Sequence, residues 1–376
     1  MGRVPIAMLT IVPSLVLFAG CPEPFNQPCV SDCSSRFFGE VAFLWWQPID
    51  SAIEFADVVT GQNVVGVAAA TSGQPTLSRK FQSLEWSPGF SVAMGWKGDG
   101  WDVKCDWQWF FNQSAKYLQA SPQVVTSINT GFAGTENGLG IYGVWLGEWI
   151  PSNVSTAFDV PSQLVYPGPF ASAHSTFKLN YDTIDAETGY TYQTNLNALR
   201  FLFGLRGALI DRTARADYSS YTNLGSLLTG VPPTNGFANG FYKGKLNFWG
   251  LGPRVGLYDE LSWSSASMKF FAQVSTALLY GPIFGKETVT LNGLALSVPS
   301  LFGGAMYNTP REWGAVANLQ LLLGLGWHRM LCGVDCGVNA AWESHMWFMP
   351  QLRTSIYTGG ANLSLNGLKL ALELSF

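Results

Sequence analysis

The chain has 376 residues, enough for one large barrel or two ordinary domains. Only 12% of them are Asp, Glu, Lys or Arg, about half the share in a soluble globular chain, while aromatics reach 14% with 15 Trp, and Gly reaches 41. The net charge of −4 and the lack of a basic run exclude a nucleic-acid partner, and a mean hydropathy of +0.14 is too low for a bundle of apolar helices.

In residues 1–20 Arg3 is the only charge. Val4–Ala19 form an apolar stretch with Pro5 and Pro13, and Ala19 and Gly20 are small. The pattern reads as a secretory signal peptide over residues 1–20, since a spanning helix needs about 20 apolar residues without such breaks. Phe18-Ala19-Gly20-Cys21 is similar to a lipobox with Phe where Leu is usual, which makes Cys21 a lipidation candidate beside simple cleavage. Residues 21–35 hold Pro22, Pro24, Pro28, Cys29 and Cys33 and read as an irregular leader.

From residue 36 onward the dominant signal is alternation. In Trp101–Phe111, Trp101, Val103, Cys105, Trp107 and Trp109 fall on one face and Asp102, Lys104, Asp106 and Gln108 on the other. Met268–Tyr280, Ala315–Trp327, Cys336–Phe348 and Leu368–Phe376 repeat the pattern, and all seven charges of these five segments lie on the second face. Further strands are expected at Arg36–Trp46, Ile53–Val59, Ser78–Trp86, Phe90–Trp96, Gly138–Trp149, Ser175–Ile184, Ala198–Asp211, Gly240–Trp249 and Leu251–Trp263. The expected fold is all-β: a closed antiparallel transmembrane β-barrel of about 14 strands (12–16) over residues 36–376. A soluble sandwich would also alternate. Long apolar strands, few charges, and aromatics near strand ends (Trp45, Trp46, Trp86, Trp96, Trp149, Trp263, Tyr280, Trp327) favour the membrane.

Connections such as Lys97–Gly100 are short, whereas Thr60–Leu77, Asn112–Asn137, Ile150–His174, Arg212–Asn239 and Phe284–Arg311 are long and rich in Gly, Ser, Thr, Asn and Pro. Short periplasmic turns and long extracellular loops are the arrangement this predicts. A loop such as Asn112–Asn137 is a candidate to fold inward.

Phe37-Phe38-Gly39-Glu40-Val41-Ala42-Phe43-Leu44-Trp45-Trp46, Trp86-Ser87-Pro88-Gly89-Phe90, Gly252-Pro253-Arg254-Val255-Gly256-Leu257, Leu278-Leu279-Tyr280-Gly281, Ala341-Trp342-Glu343, Trp347-Phe348 and Asn362–Leu368 occur in that order. Together they resemble the Legionella-type major outer membrane proteins and their chlamydial MOMP-like relatives, from Phe37 to Phe376. The resemblance implies a pore-forming barrel in the outer membrane of an intracellular Gram-negative bacterium. Phe376, ending an alternating strand, is similar to the signal that barrel-insertion machinery reads. The resemblance also implies disulfide-linked envelope partners through Cys29 or Cys33.

Cys332 and Cys336 flank Gly333-Val334-Asp335. Opposed residues of a three-residue hairpin lie about 4.5–5.5 Å apart, so a Cys332–Cys336 staple is the expectation. Cys105 reads as a small hydrophobe on the lipid stripe. With three His, no zinc set is expected, nor any other metal or cofactor. His174, His328 and His345 could serve a hydrolase, but no G-x-S-x-G, P-loop or H-E-x-x-H is present, so no enzyme is expected.

The functional expectation is a porin: a water-filled path for ions and small hydrophilic solutes, lined by Lys104, Asp106, Arg200, Arg206, Arg254, Lys269, Glu343, Lys369 and Glu373. Both signs occur, which predicts weak selectivity. Its surroundings are outer-membrane lipid, and a homotrimer is the oligomer porins often form. The alternative is a surface-structural or adhesin-like protein acting through its loops and disulfide cross-links.

Overall fold

The computed structural model describes residues 36–50, 54–60, 76–98, 100–119, 140–143, 172–193, 197–219, 239–263, 267–292, 305–308, 311–349 and 362–376. The leader at residues 1–20, Cys21, Cys29, Cys33 and most of the expected loop Asn112–Asn137 lie outside them.

The strands are β1 (Arg36–Asp50), β2 (Glu54–Thr60), β3 (Thr76–Phe81), β4 (Ser87–Gly98), β5 (Trp101–Gln119), β6 (Gly140–Gly143), β7 (Ser172–Gln193), β8 (Asn197–Ser219), β9 (Asn239–Trp263), β10 (Met268–Asn292), β11 (Ala305–Asn308), β12 (Glu312–Leu331), β13 (Val334–Phe348) and β14 (Leu363–Ser375). Ten of these close a ring in the order β1-β4-β5-β7-β8-β9-β10-β12-β13-β14, with β14 returning antiparallel to β1. Every neighbouring pair in the ring is antiparallel.

The barrel therefore has ten strands, and the expectation of about fourteen is corrected. The segments at Ile53–Val59, Ser78–Trp86 and Gly138–Trp149 do not enter the ring; β2, β3 and β6 form a separate three-stranded sheet. The two segments on either side of Gly250 are one strand, β9, of 25 residues. A glycine between two apolar runs reads as a break in sequence, yet here it lies within a continuous ladder.

The short connections β4–β5, β7–β8, β9–β10 and β12–β13 share one end with Arg36 and Phe376. The long connections lie at the other end, an asymmetry that fits short periplasmic turns and long outer loops. At the β12–β13 turn Cys332 and Gly333 both have positive φ (51° and 85°), and Leu331 pairs with Val334. Two left-handed residues in succession make a two-residue hairpin of the type favoured between twisted strands.

Outward side chains make an apolar belt. Phe201, Phe203, Leu205 and Leu209 on β8 and Leu321, Leu323 and Leu325 on β12 are all exposed. Trp249, Tyr280 and Trp313 cluster at its outer edge, with Tyr280 stacked on Trp313 at 5.6 Å. Trp101 against Tyr190 (5.1 Å) and exposed Trp96 and Trp327 mark the inner edge. Trp46 departs from the girdle reading: it points inward and is fully buried, because its neighbour Trp45 takes the outward position. Above the outer edge β7–β10 continue with polar outward residues such as Lys178, Asn180, Asp211 and Lys245. Without an apolar face this part of the strands carries no alternation signal, and Arg212–Ser219 and Phe284–Asn292 read as loop from sequence.

Candidate functional site: a charged and layered lumen

Alternation sends every second residue inward, and three tiers result. At the short-turn end a cavity of about 530 Å³ extends from Gly100, Gln193 and Ala198 to Gln320 and Glu343. Its walls carry ion pairs. Lys369 Nζ lies 2.9 Å from Glu40, and Lys104 lies 3.6 Å from Glu40 and from Asp106. Lys269 lies 3.2 Å from Glu260 and 4.0 Å from Glu373, which also meets Lys97 at 3.3 Å. Arg200 donates to Asp102 (Nε, 2.7 Å) and to Glu187 (Nη1, 3.1 Å).

The middle tier centres on Arg206 and Arg254. Arg206 clamps Asp185 through Nε (2.7 Å) and Nη2 (2.6 Å), and also donates to Gln320 Oε1 (2.7 Å) and to Asn318. Arg254 Nη1 reaches Asp185 and Glu187, each at 2.7 Å, and its Nη2 reaches Gln320 at 2.9 Å. Gln320 donates to Glu343 at 2.6 Å, and His345 Nε2 lies 3.1 Å from the same carboxylate. These charges are desolvated, so the forked arginine geometry is what makes their burial tolerable.

The third tier is apolar: Leu44, Trp46, Phe110, Leu179, Tyr181, Ile210, Leu279, Val316, Trp347 and Leu365 are completely buried in one cluster. Leu84, from the segment before β4, joins it, and Gln47 Nε2 donates to its carbonyl at 2.9 Å. This inserted segment lies between β3 and β4; Asn112–Gln119 extend β5, and the rest of the expected inward loop lies outside the described residues. Tyr181 on β7 meets Trp347 (5.9 Å) and His345 (6.0 Å) on β13. Those strands stand five apart in a ring of ten, so the side chains meet across the full diameter. Ten strands spaced about 4.8 Å and tilted about 40° make a ring roughly 20 Å across, which two large side chains can bridge. Fourteen would give roughly 28 Å and an open bore. Side chains accordingly fill the described lumen at this height, and Arg206 and Glu343 are fully buried in it.

Lys104, Asp106, Arg200, Arg206, Arg254, Lys269, Glu343, Lys369 and Glu373 all occupy inward positions, the first two tiers bringing them together. Their partners Glu40, Asp185 and Glu187 went unnoticed in the sequence; each stands on the inward parity of its strand, which is the signal that finds them. The three histidines do not converge: His174 is exposed on β7, His328 lies 3.7 Å from Asp335 near the short-turn end, and His345 is buried at mid-barrel. Cys336 is a free thiol, so the Cys332–Cys336 staple is not formed. The two-residue turn sets Cys336 opposite Arg329, out of register with Cys332. Cys105 is a free, outward-facing thiol on β5, and Phe376 donates its amide to Phe37 O at 2.8 Å where the ring closes.

No curated protein matches the chain. Among solved structures, the outer membrane protease OmpT of Escherichia coli aligns over 91% of this chain and 96% of its own, with 10% identity and a TM-score of 0.41. The monoaromatic hydrocarbon channel CymD aligns over 90% and 88%, with 9% identity and a TM-score of 0.26. An anion-selective porin of Comamonas acidovorans aligns over 91% and 99%, with 11% identity and a TM-score of 0.14. The family model described as the Legionella pneumophila major outer membrane protein precursor matches residues 29–376. The chain belongs to that family and is an outer-membrane β-barrel protein.

Proposed function

We propose that the protein is a channel of the porin class, passing ions and small hydrophilic solutes without catalysis, and that the described state is its closed form. The observation that carries this reading is the charged cavity that runs from the short-turn end to Glu343 at mid-barrel. Ionisable groups at membrane depth are costly and are kept where polar solutes travel. Closure rests on the buried Arg206–Glu343 tier and on the apolar tier beside it, which Tyr181 spans by meeting His345 and Trp347. Single-channel recording of the refolded protein in a planar bilayer tests it. The expected result is brief, low-conductance events in the native protein, and longer, larger steps in Tyr181→Ala/Trp347→Ala. Silence from both barrels, each verified as folded and inserted, overturns the channel reading.

The second reading is a surface-structural protein. The polar extension of β7–β10 above the girdle and the separate β2–β3–β6 sheet favour it. Cross-linking of envelope proteins that Cys29→Ser/Cys33→Ser abolishes would support that role.

A further inference from the structure

Outward side chains above the outer aromatic girdle are unevenly charged. Lys178 on β7, Thr213 on β8, Lys245 on β9 and Lys286 on β10 are successive cross-strand partners in one row. Lys243 lies one outward position further up β9, and Arg311 stacks over the Phe284 and Trp313 rings at 5.0 and 5.3 Å. None of Lys178, Lys243, Lys245 and Lys286 has a carboxylate within 4 Å among the described residues. Asp182 and Asp211 are the acids in the rows beneath, and Asp217 above is held by Arg215 at 2.9 Å. By contrast, the outward positions of β1, β13 and β14 at that end (Gln47, Ile49, Phe348, Ser364, Asn366) carry no charge. The whole chain is acidic at −4, so composition does not account for a basic row.

Lys245 and Lys286 stand directly opposite each other. Like charges so placed destabilise a sheet unless an anion lies between them. Height supplies the rest of the argument. Trp249 marks the headgroup boundary, and Lys245 is four residues above it on β9. At about 3.3 Å per residue and a tilt of about 40°, the row stands roughly 10 Å beyond the girdle, within reach of phosphates carried by outer-leaflet lipid.

We propose that Lys178, Lys245, Lys286 and Arg311 form a binding site for the phosphate-bearing headgroup of an outer-leaflet lipid. The site explains a row of lysines that would otherwise repel, on one side of the barrel alone. It leaves the lumen uninvolved.

The test is a titration of the refolded full-length protein in dodecylmaltoside micelles with diphosphorylated lipid A. Bound lipid is counted by native mass spectrometry and stability followed by thermal unfolding. The native protein is expected to retain the lipid and unfold at a higher temperature. Lys245→Gln/Lys286→Gln, an exposed and conservative pair of changes, is expected to bind roughly thirtyfold more weakly, about fivefold for each cation lost. Lys245→Arg/Lys286→Arg is expected to bind like the native protein. Equal binding by the Gln variant, or equal retention of fully dephosphorylated lipid A, overturns the proposal. So does an equal stabilisation by inorganic phosphate at the same phosphate concentration, which would make the row a general anion site.

Discussion

Removing the Arg206 guanidinium should destabilise the barrel through its buried partners. Arg206 is completely buried on β8 and makes four charge-assisted hydrogen bonds, two of them to Asp185 and one to Gln320. Breaking a buried pair by deleting one partner costs about 3–5 kcal/mol. In Arg206→Met two acceptors keep a partner: Arg254 still reaches Asp185 at 2.7 Å and Gln320 at 2.9 Å. The Asn318 side-chain oxygen loses its arginine donor. The expected loss is therefore at the lower end, about 3 kcal/mol. With an m-value of about 2 kcal/mol per molar urea, the unfolding midpoint should fall by about 1.5 M. Reversible urea titration in short-chain phosphatidylcholine vesicles, followed by Trp fluorescence, measures it. A loss under about 1 kcal/mol would refute the reading of the middle tier as a desolvated, interdependent network.

Two further predictions concern the wall and the turn. Leu323→Arg places a cation on the exposed apolar face of β12 and should cost about 2–4 kcal/mol in the same vesicles, with a smaller loss in detergent. Gly333→Val forces a branched residue to a φ of 85° and should slow refolding and destabilise by about 1–2 kcal/mol, measured by urea titration and stopped-flow fluorescence.

The membrane-facing half of the fold was legible because lipid imposes a strict rule. Alternation in Trp101–Phe111 and in Ala315–Trp327 carries straight into the outward and inward faces of β5 and β12. Strand number was not legible, since β2, β3 and β6 have strand-like composition without a place in the ring, and β9 contains Gly250 without ending there. The lumen was legible by parity and opaque in depth. Sequence assigns Lys369 and Glu343 to the inner wall, but not the contact of Tyr181 with Trp347 across the barrel. That contact depends on ring size, which one miscounted strand pair changes by about 4 Å. The turn at Cys332 failed for a local reason: two or three turn residues are equally compatible with C-x-x-x-C, and backbone handedness decides between them.

The abundance of glycine has a physical cause inside the strands. Large inward side chains lie across glycines of the neighbouring strand, which act as seats. Arg200 is the clearest case. A Cβ added at Gly189 would stand 2.3 Å from Arg200 Nε and 2.7 Å from its Cζ. An arginine can usually swing aside, but this one is anchored by Asp102 at 2.7 Å and Glu187 at 3.1 Å, so moving it breaks the cavity-wall network. Gly189→Ala should cost about 1.5–3 kcal/mol, the worth of a charge-assisted hydrogen bond. Arg200→Met removes the same bonds directly. If the glycine acts only as the seat, Gly189→Ala/Arg200→Met should be no less stable than Arg200→Met alone, since the alanine then has nothing left to displace. Additive losses in that double-mutant cycle would refute the seat, and would assign the glycine's role to the backbone of β7 instead.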